Sequence, residues 1–378
     1  METLKIAFYT DSYLPAVDGV VTSILNTRAE LEKRGHEVSI FAPGGKNTAV
    51  FAKKDKNLFV IKGIKFNKYP QYTIGILARE NSNVFGIKPD VIHAHTPFSA
   101  GILAYKSSLA LNTSFISTFH TMAFSDEVIT SYLTNNKTVV KVSKYIVLKY
   151  LKWFYSKTDS VIAPTIYTKK FLKNNGIKKV TVIPTGIDFS SMKKVNKNIA
   201  RKILNIKPND KIILYFGRVS KEKNVELLLK AAKPLAMHGF KILIAGAGPF
   251  LEELSELNKK MGNKNVKFTG FVKDTDISYY YSSADLLCNP SLFETQSIVD
   301  LYAAFYDLPI LVPKRTAQEE LLGYSRCGEV FDSNSIRDLV EKANRAYERN
   351  KRYDFNKIIK EFDIKITVDK LLSLYNRI

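Results

Sequence analysis

Residues 210–218 read DKIILYFGR and residues 240–248 read FKILIAGAG. Each is a short apolar run ending in glycine, or in glycine and one more residue. Val225 to His238, between them, carries apolar residues at helical spacing. Strand, helix and strand in that order predict a parallel α/β sheet. Towards the C-terminus the pattern continues through NVKFTGF (265–271), ADLLCNPS (284–291), a helix expected to begin near Thr295–Gln296, and LPILVP (308–313). Towards the N-terminus the same alternation is met again. LKIAFYTD (4–11) is followed by VTSILNTRAELEKRGH (21–36), with Gly35 as the helix-ending residue. HEVSIFAP, DVIHAH, SFISTFH, a long helical segment from Thr138 to Lys157, DSVIAPT and KVTVIPTG complete that series. The fold class is therefore α/β, with two Rossmann-like doubly wound domains expected to face each other across a cleft. The expected boundaries are 1–188 and 189–360, with Ser190 to Asp210 as a polar, lysine-rich linker and leading helix. Residues 361–378 hold an amphipathic helix, roughly Lys365 to Arg377, that can pack on either domain, crossing back to the first being one expectation. Ligands of open parallel sheets bind beyond the carboxyl ends of the strands, so informative residues should follow strands.

The 378 residues are 45% hydrophobic and 25% charged, which is a globular composition long enough for two cores. Cys288 and Cys327 are the only cysteines, so a disulfide framework or zinc ribbon is not expected and a reducing compartment fits. The start METLKIAFYTDSYLP has no basic region ahead of an apolar stretch, so no signal peptide is expected. No run of apolar residues is long enough for a membrane-spanning helix. The net charge is +21, which suits nucleic acid, an anionic membrane or a phosphorylated substrate, or simply reflects a lysine-rich surface. Two basic runs stand out. Residues 53–68 hold six lysines against Asp55 alone, and Lys137 to Lys157 holds six lysines and no acid.

Several motifs follow strands. In DGVVTS, Asp18 and Gly19 precede a helix; a glycine there lets backbone N–H groups approach a phosphate, or it is an ordinary loop residue. FGRVSKEKN (216–224) places Arg218 and Lys223 on one loop. A guanidinium fork and an ammonium point charge there can grip a diphosphate; a solvated basic loop is the plainer alternative. Gly246 and Gly248 begin a G-x-G-x-x-G run that Leu251 breaks, so a nicotinamide site is weakly supported and a tight turn giving a ligand access to backbone fits better. NPSLFETQSIVDLYAAF (289–305) sets Glu294 at a strand-to-helix junction, as a cap or as a holder of sugar hydroxyls beside phosphate-binding amides. His93 and His95 end a strand, where they are expected on opposite faces, and no third metal ligand stands at suitable spacing. Asp274-Thr275-Asp276 resembles a metal-holding D-x-D but reads as a surface turn. His120 ends an apolar strand, as a satisfied core histidine or as a residue facing the cleft.

In the helix from Lys137 to Lys157, Lys137, Lys141, Lys144, Lys149 and Lys152 fall on one face. Val142, Ile146, Tyr150, Trp153 and Phe154 fall on another. A basic stripe beside an aromatic-apolar stripe suits an interfacial helix on anionic lipid; packing of the apolar stripe on its own domain is the alternative.

Taken together, these pieces resemble the large retaining glycosyltransferase family four, of the GT-B fold. The matching segments are FYTDSYLPAVDGVVTS, DVIHAHTPF, TFHT, VIPTGID, FGRVSKEKN, IAGAGP, FTGFV and PSLFETQS, in family order from residue 6 to about 300. The first and last look most like the diacylglycerol glucosyltransferase and phosphatidylinositol mannosyltransferase branches. The resemblance implies that Gly19 backs the donor diphosphate and that His120 lies beside the transferred sugar and the acceptor. It implies that Arg218 and Lys223 neutralise the departing diphosphate. Glu294 and the N–H groups of Gln296, Ser297 and Ile298 would hold the sugar and β-phosphate, with Val272 near the base. The catalytic set is then His120, Glu294, Arg218 and Lys223. The family's second glutamate, eight positions after the first, is replaced by Tyr302, and Asp300 lies on the far side of that helix. Asp18 stands where many relatives have glycine. The expected reaction moves a hexose, with retention, from a sugar nucleotide to a membrane lipid, without metal or other cofactor. The expected place is the cytoplasmic side, peripheral at the inner membrane face. Partners would be the sugar nucleotide, a lipid or sugar acceptor and an anionic membrane surface, with no nucleic acid. A soluble or polysaccharide acceptor, or a degenerate non-catalytic partner subunit, is the alternative.

Overall fold

The computed structural model describes residues 2–16, 18–44, 46–66, 69–75, 83–122 and 136–378. Lys68, at the end of the first basic run, lies outside the described residues. The chain forms two compact units. One comprises Met1–Phe124, Lys141–Asp188 and Phe362–Ile378; the other comprises Ser125–Val140 and Phe189–Glu361.

In the first unit the strands are β1 (Lys5–Tyr9), β2 (Glu37–Gly44), β3 (Leu58–Phe66), β4 (Tyr69–Gly75), β5 (Val91–Ala94), β6 (Ser114–Thr118), β7 (Ser160–Ala163) and β8 (Val180–Val182). They lie in the order β4-β3-β2-β1-β5-β6-β7-β8, parallel throughout except for the antiparallel β3–β4 pair. Both faces are covered, as helical crossovers require. Along β1, Ala7 and Tyr9 join one core with Phe115, Leu151 and Phe154, while Ile6 and Phe8 join the other with Ile24, Leu31 and Val38. The strand order reverses between β1 and β5, which are parallel hydrogen-bonded neighbours. Asp11, two residues beyond the end of β1, accepts from the amide of Ala100 at 3.0 Å and so caps the helix Ser99–Leu111 that follows β5.

The C-terminal helix, Ile364–Tyr375, belongs to this first unit. Asp363 caps it, accepting from Lys365 N at 2.9 Å. Ile364, Val368, Leu371, Leu372 and Tyr375 are buried against Ile6, Phe8 and Ile183. Each such side chain contributes about 1.5–3 kcal/mol on burial. Gly186 makes the approach possible, because a Cβ there would stand 2.7 Å from the Ile364 backbone.

The second unit has six strands, all parallel: β9 (Lys211–Phe216), β10 (Phe240–Ala245), β11 (Val266–Gly270), β12 (Leu286–Cys288), β13 (Ile310–Pro313) and β14 (Gly328–Phe331). Their order is β11-β10-β9-β12-β13-β14, so the strand order reverses between β9 and β12. In open sheets this reversal point is where ligands bind. The helix after β12 begins at Ile298, with Ser297 as its cap, rather than near Thr295–Gln296. Proline and polar spacing in NPSLFETQS hold the chain non-helical until Ser297 supplies an acceptor for the amide of Asp300 at 3.2 Å.

Candidate active site

In the second unit, the loops after β9 and β12 meet. Lys223 Nζ lies 2.6 Å from Glu294 Oε1, and both side chains keep some contact with solvent. Their loops are braced from below. Val219 and Val225 are fully buried anchors on either side of the Lys223 turn. Asn224, in the left-handed conformation, donates from Nδ2 to the carbonyl of Pro290 at 3.3 Å. Asn289 donates to Ser297 Oγ at 3.0 Å and to Asp300 Oδ1 at 2.9 Å. Gln318 donates to the Asn289 carbonyl at 3.2 Å. A cation and a carboxylate are thus presented together on a rigid floor, at the point where the sheet reverses.

Arg218 is on the same loop as Lys223, partly exposed, and its carbonyl accepts from the Tyr215 hydroxyl at 2.5 Å. Of Gln296, Ser297 and Ile298, only Ile298 is helical; Ser297 is buried as the cap and Gln296 precedes it. Val272 follows β11 at the sheet edge, two strands from β9. Asp274–Asp276 is a short turn whose first residue is exposed. Gly246 and Gly248 are required by the packing of neighbouring loops. A Cβ on Gly246 would lie 1.8 Å from the Gly217 carbonyl oxygen, and one on Gly248 2.2 Å from that of Val219. The two loops close on each other there, and only glycine leaves room.

Asp300 is fully buried beneath the helix start. Burial is the main cause that lifts its carboxyl to about 7; the Asn289 bond opposes this and the Glu294 charge adds to it. It points into the core and offers nothing to a ribose. Tyr302 is partly exposed, with its ring edge-on to Tyr281 at 6.1 Å. Burial, and then the charge of Asp274, push its hydroxyl above the usual phenol range. Tyr302 therefore stays neutral at physiological pH.

In the first unit, Asp18 occupies the start of the helix Gly19–Lys33. Its Oδ1 accepts from Val20 N and Val21 N, both at 2.9 Å, and its Oδ2 from Ser12 Oγ at 2.6 Å. Gly19 is exposed at the first helical position, but the two amides beyond it are already engaged by this carboxylate. His120 follows β6. Its Nε2 stands 3.1 Å from Nδ1 of His95, and the two rings stack. His93 and His95 do not diverge as expected. Residues two apart on a strand share a face, and their rings stack at 4.3 Å. Burial pushes the His120 pKa down to about 4, against the opposing pull of the Asp18 carboxylate. The sequence reading missed the union of these histidines. The available signal was that both segments end apolar strands, β5 and β6, which lie side by side in the sheet. Among the described residues no group of three or more His, Cys, Asp or Glu is placed to hold a metal ion.

The helix Lys137–Ser156 departs from the two-face reading. Phe154 is fully buried, packed with Leu151, Tyr155 and Phe115 in the first unit's core. Lys144 is only partly exposed, at the edge of that buried face. Val142, Tyr145, Ile146 and Trp153 are 44–67% exposed and stand beside the exposed Lys141, Lys149 and Lys152. The helix therefore has three faces, because Phe154 falls nearer the core than the Val142–Ile146–Trp153 strip does. Among the described residues no helix is long and apolar enough to cross a membrane.

Two doubly wound parallel sheets, the second carrying a lysine–carboxylate pair at its reversal point, define a glycosyltransferase of the GT-B fold. The description Glycosyltransferase Family 4 matches residues 17–191, and Glycosyl transferases group 1 matches residues 196–362. The chain belongs to glycosyltransferase family four. It is 30% identical to the alpha-monoglucosyldiacylglycerol synthase of Streptococcus pneumoniae, over 87% of this chain and 75% of that one. It is 27% identical to the protein of the same description from Acholeplasma laidlawii, over 88% and 85%. Among solved structures, Anabaena HepE in complex with UDP and glucose superposes with a TM-score of 0.77 at 16% identity, covering 99% of this chain and 100% of that one.

Proposed function

We propose that this protein transfers a hexose, with retention, from a sugar nucleotide to the hydroxyl of a membrane lipid at an anionic, cytoplasmic membrane surface. The observation that carries the reading is the Lys223–Glu294 pair at the reversal point of the second sheet. The chief barrier is charge building on the diphosphate as the glycosidic bond loosens. Lys223 and Arg218 meet that charge without reorganisation, because their loop is already fixed. Glu294 accepts from sugar hydroxyls and holds Lys223 in place until the donor arrives. The acceptor hydroxyl attacks from the face the diphosphate leaves, and the departing phosphate takes its proton. In this scheme the cations carry the work of charge neutralisation, so transfer is expected to survive EDTA. The UDP and glucose named for HepE and the diacylglycerol named for the relatives support the donor and acceptor classes.

The exposed Val142–Ile146–Trp153 strip with its neighbouring lysines supports the membrane surface. Apolar side chains enter the acyl boundary while the lysines meet anionic headgroups. Replacing Ile146 and Trp153 together by Glu is expected to weaken binding to phosphatidylglycerol vesicles at least about tenfold, since each apolar side chain forfeits roughly 1 kcal/mol or more and each Glu repels the surface. The readout is vesicle co-sedimentation, with glucose transfer from UDP-glucose to dioleoylglycerol assayed in EDTA. Equal sedimentation of variant and wild type, with transfer to a soluble acceptor instead, would replace the lipid with a soluble substrate.

Tyr302 offers one neutral hydroxyl where the family has a carboxylate. If that hydroxyl meets the ribose, Tyr302→Phe should raise the donor KM about fivefold, the worth of one neutral hydrogen bond, with kcat little changed. An unchanged KM would show that the ribose is held elsewhere.

A further inference from the structure

Three of the chain's five histidines stand in one stack. His93 is held at both ring nitrogens, with the Tyr375 hydroxyl 2.7 Å from Nδ1 and the Thr118 hydroxyl 2.7 Å from Nε2. Hydroxyls donate and accept, so those contacts suit either tautomer. His95 is different. Its Nδ1 faces His120 Nε2 at 3.1 Å, while its own Nε2 is buried with no partner among the described residues. All three rings are neutral near pH 7, because burial holds their pKa values below the usual range.

A contact between nitrogens of two neutral imidazoles needs one proton, supplied by one ring. If His120 supplied it, His95 would carry its own proton on Nε2, leaving a buried N–H without an acceptor. If His95 supplies it, the orphan atom is a bare lone pair. A buried N–H without an acceptor is the rarer arrangement and costs its full desolvation.

We propose that His95 is a positioning residue that donates its Nδ1–H to Nε2 of His120 and thereby fixes His120 in the tautomer protonated on Nδ1. His93, clamped between Tyr375 and Thr118, backs the His95 ring. Phe8 meets both rings edge-on, at 5.4 and 4.7 Å. The inference rests on the reading of His120 as the group beside the transferred sugar. It specifies what His120 does there. With Nε2 accepting from His95 and Nδ1 protonated, neither ring nitrogen is left to take a proton, so His120 does not serve as a base. The acceptor's proton then goes to the leaving phosphate.

The test is long-range proton–nitrogen NMR on the full chain labelled at histidine, with the His120 signals identified by their loss in His120→Asn. At pH 7.5 His120 should show a protonated Nδ1 and an unprotonated Nε2. A protonated Nε2 overturns the proposal. In transfer from UDP-glucose to dioleoylglycerol vesicles, His95→Phe should lower kcat about tenfold to a hundredfold with the donor KM unchanged. His95→Asn, whose amide reaches the place of Nδ1 and donates, should stay within about threefold of wild type. Equal loss in both variants, or an effect on KM alone, would show a merely structural role. Should the Phe variant not fold, the wild-type and Asn spectra decide. Wild-type turnover in His120→Ala would remove the catalytic reading of His120 while leaving the tautomer assignment standing.

Discussion

Lys223→Ala is expected to lower kcat for sugar transfer about 10²–10³-fold, with the melting temperature within a few degrees of wild type. The two halves of this expectation have separate causes. The Lys223–Glu294 pair is partly exposed, and such pairs contribute only about 1 kcal/mol to stability. Its loops are held instead by Val219, Val225, Asn224 and Asn289, which the substitution leaves alone. On the proposed role the catalytic loss is double: a cation would disappear from the diphosphate, and the Glu294 carboxylate beside it would no longer be neutralised. Glu294→Ala removes the sugar contact but leaves the cation, so its loss should be of the same order or smaller. The double variant should be no worse than Lys223→Ala alone, because residues that act as a unit are not additive. Steady-state kinetics and thermal melts of the three purified variants check this. Turnover within threefold of wild type in Lys223→Ala would end its assignment to the leaving group.

The two units should respond to acid in opposite directions. Burial holds the His93 pKa down to about 3, against 6.5 for an unperturbed ring. Below pH 6.5 the unfolded chain takes a proton that the folded chain refuses, so stability falls as pH drops from 6.5 towards 3. At about 1.4 kcal/mol per pH unit, His93 alone costs the first unit roughly 3 kcal/mol by pH 4. His95 and His120 add to this with the same sign, and the buried Asp11, whose pKa burial raises, partly offsets it. In the second unit, Asp300 has a folded pKa of about 7, above its unfolded value of 3.8. Its burial penalty is present above pH 7 and is relieved as pH falls towards 3.8. Amide exchange at pH 7.5 and 4.5, corrected for intrinsic rates, should show lost protection in Val91–Ala94 and Ser114–Thr118 but not in Leu286–Cys288. His93→Gln should flatten the response of the first unit. A uniform loss across both units, unchanged by that variant, would rule the histidines out as its cause.

Most strands of both sheets were legible because residues such as those of β1 and β10 must bury both faces and so form unbroken apolar runs, whereas β3, β4 and β14, which lie at or next to a sheet edge, were not read. Lys223 and Glu294 were legible as site candidates because each follows a strand. Their ion pair was not, since it spans 71 positions and depends on how two loops close. The packing demand at Gly246 and Gly248 was hidden for the same reason: it comes from a neighbouring loop that local sequence does not reveal. His93 and His95 were misjudged by strand parity, and Phe154 by assigning a helix two faces where packing makes three. The start of the helix at Ile298 was misplaced because the cap that decides it, Ser297, sits among other polar residues with equal local claim.

The helix Ile364–Tyr375 fills a groove in a sheet whose first strand begins at Lys5. During synthesis on the ribosome, β1 through β8 therefore emerge long before the segment that seals Ile6, Phe8 and Ile183 from water. The contiguous stretch Phe189–Glu361 is complete first. The half made earliest is the half finished last, so the nascent protein carries an open apolar seam until Ile364–Tyr375 has left the exit tunnel.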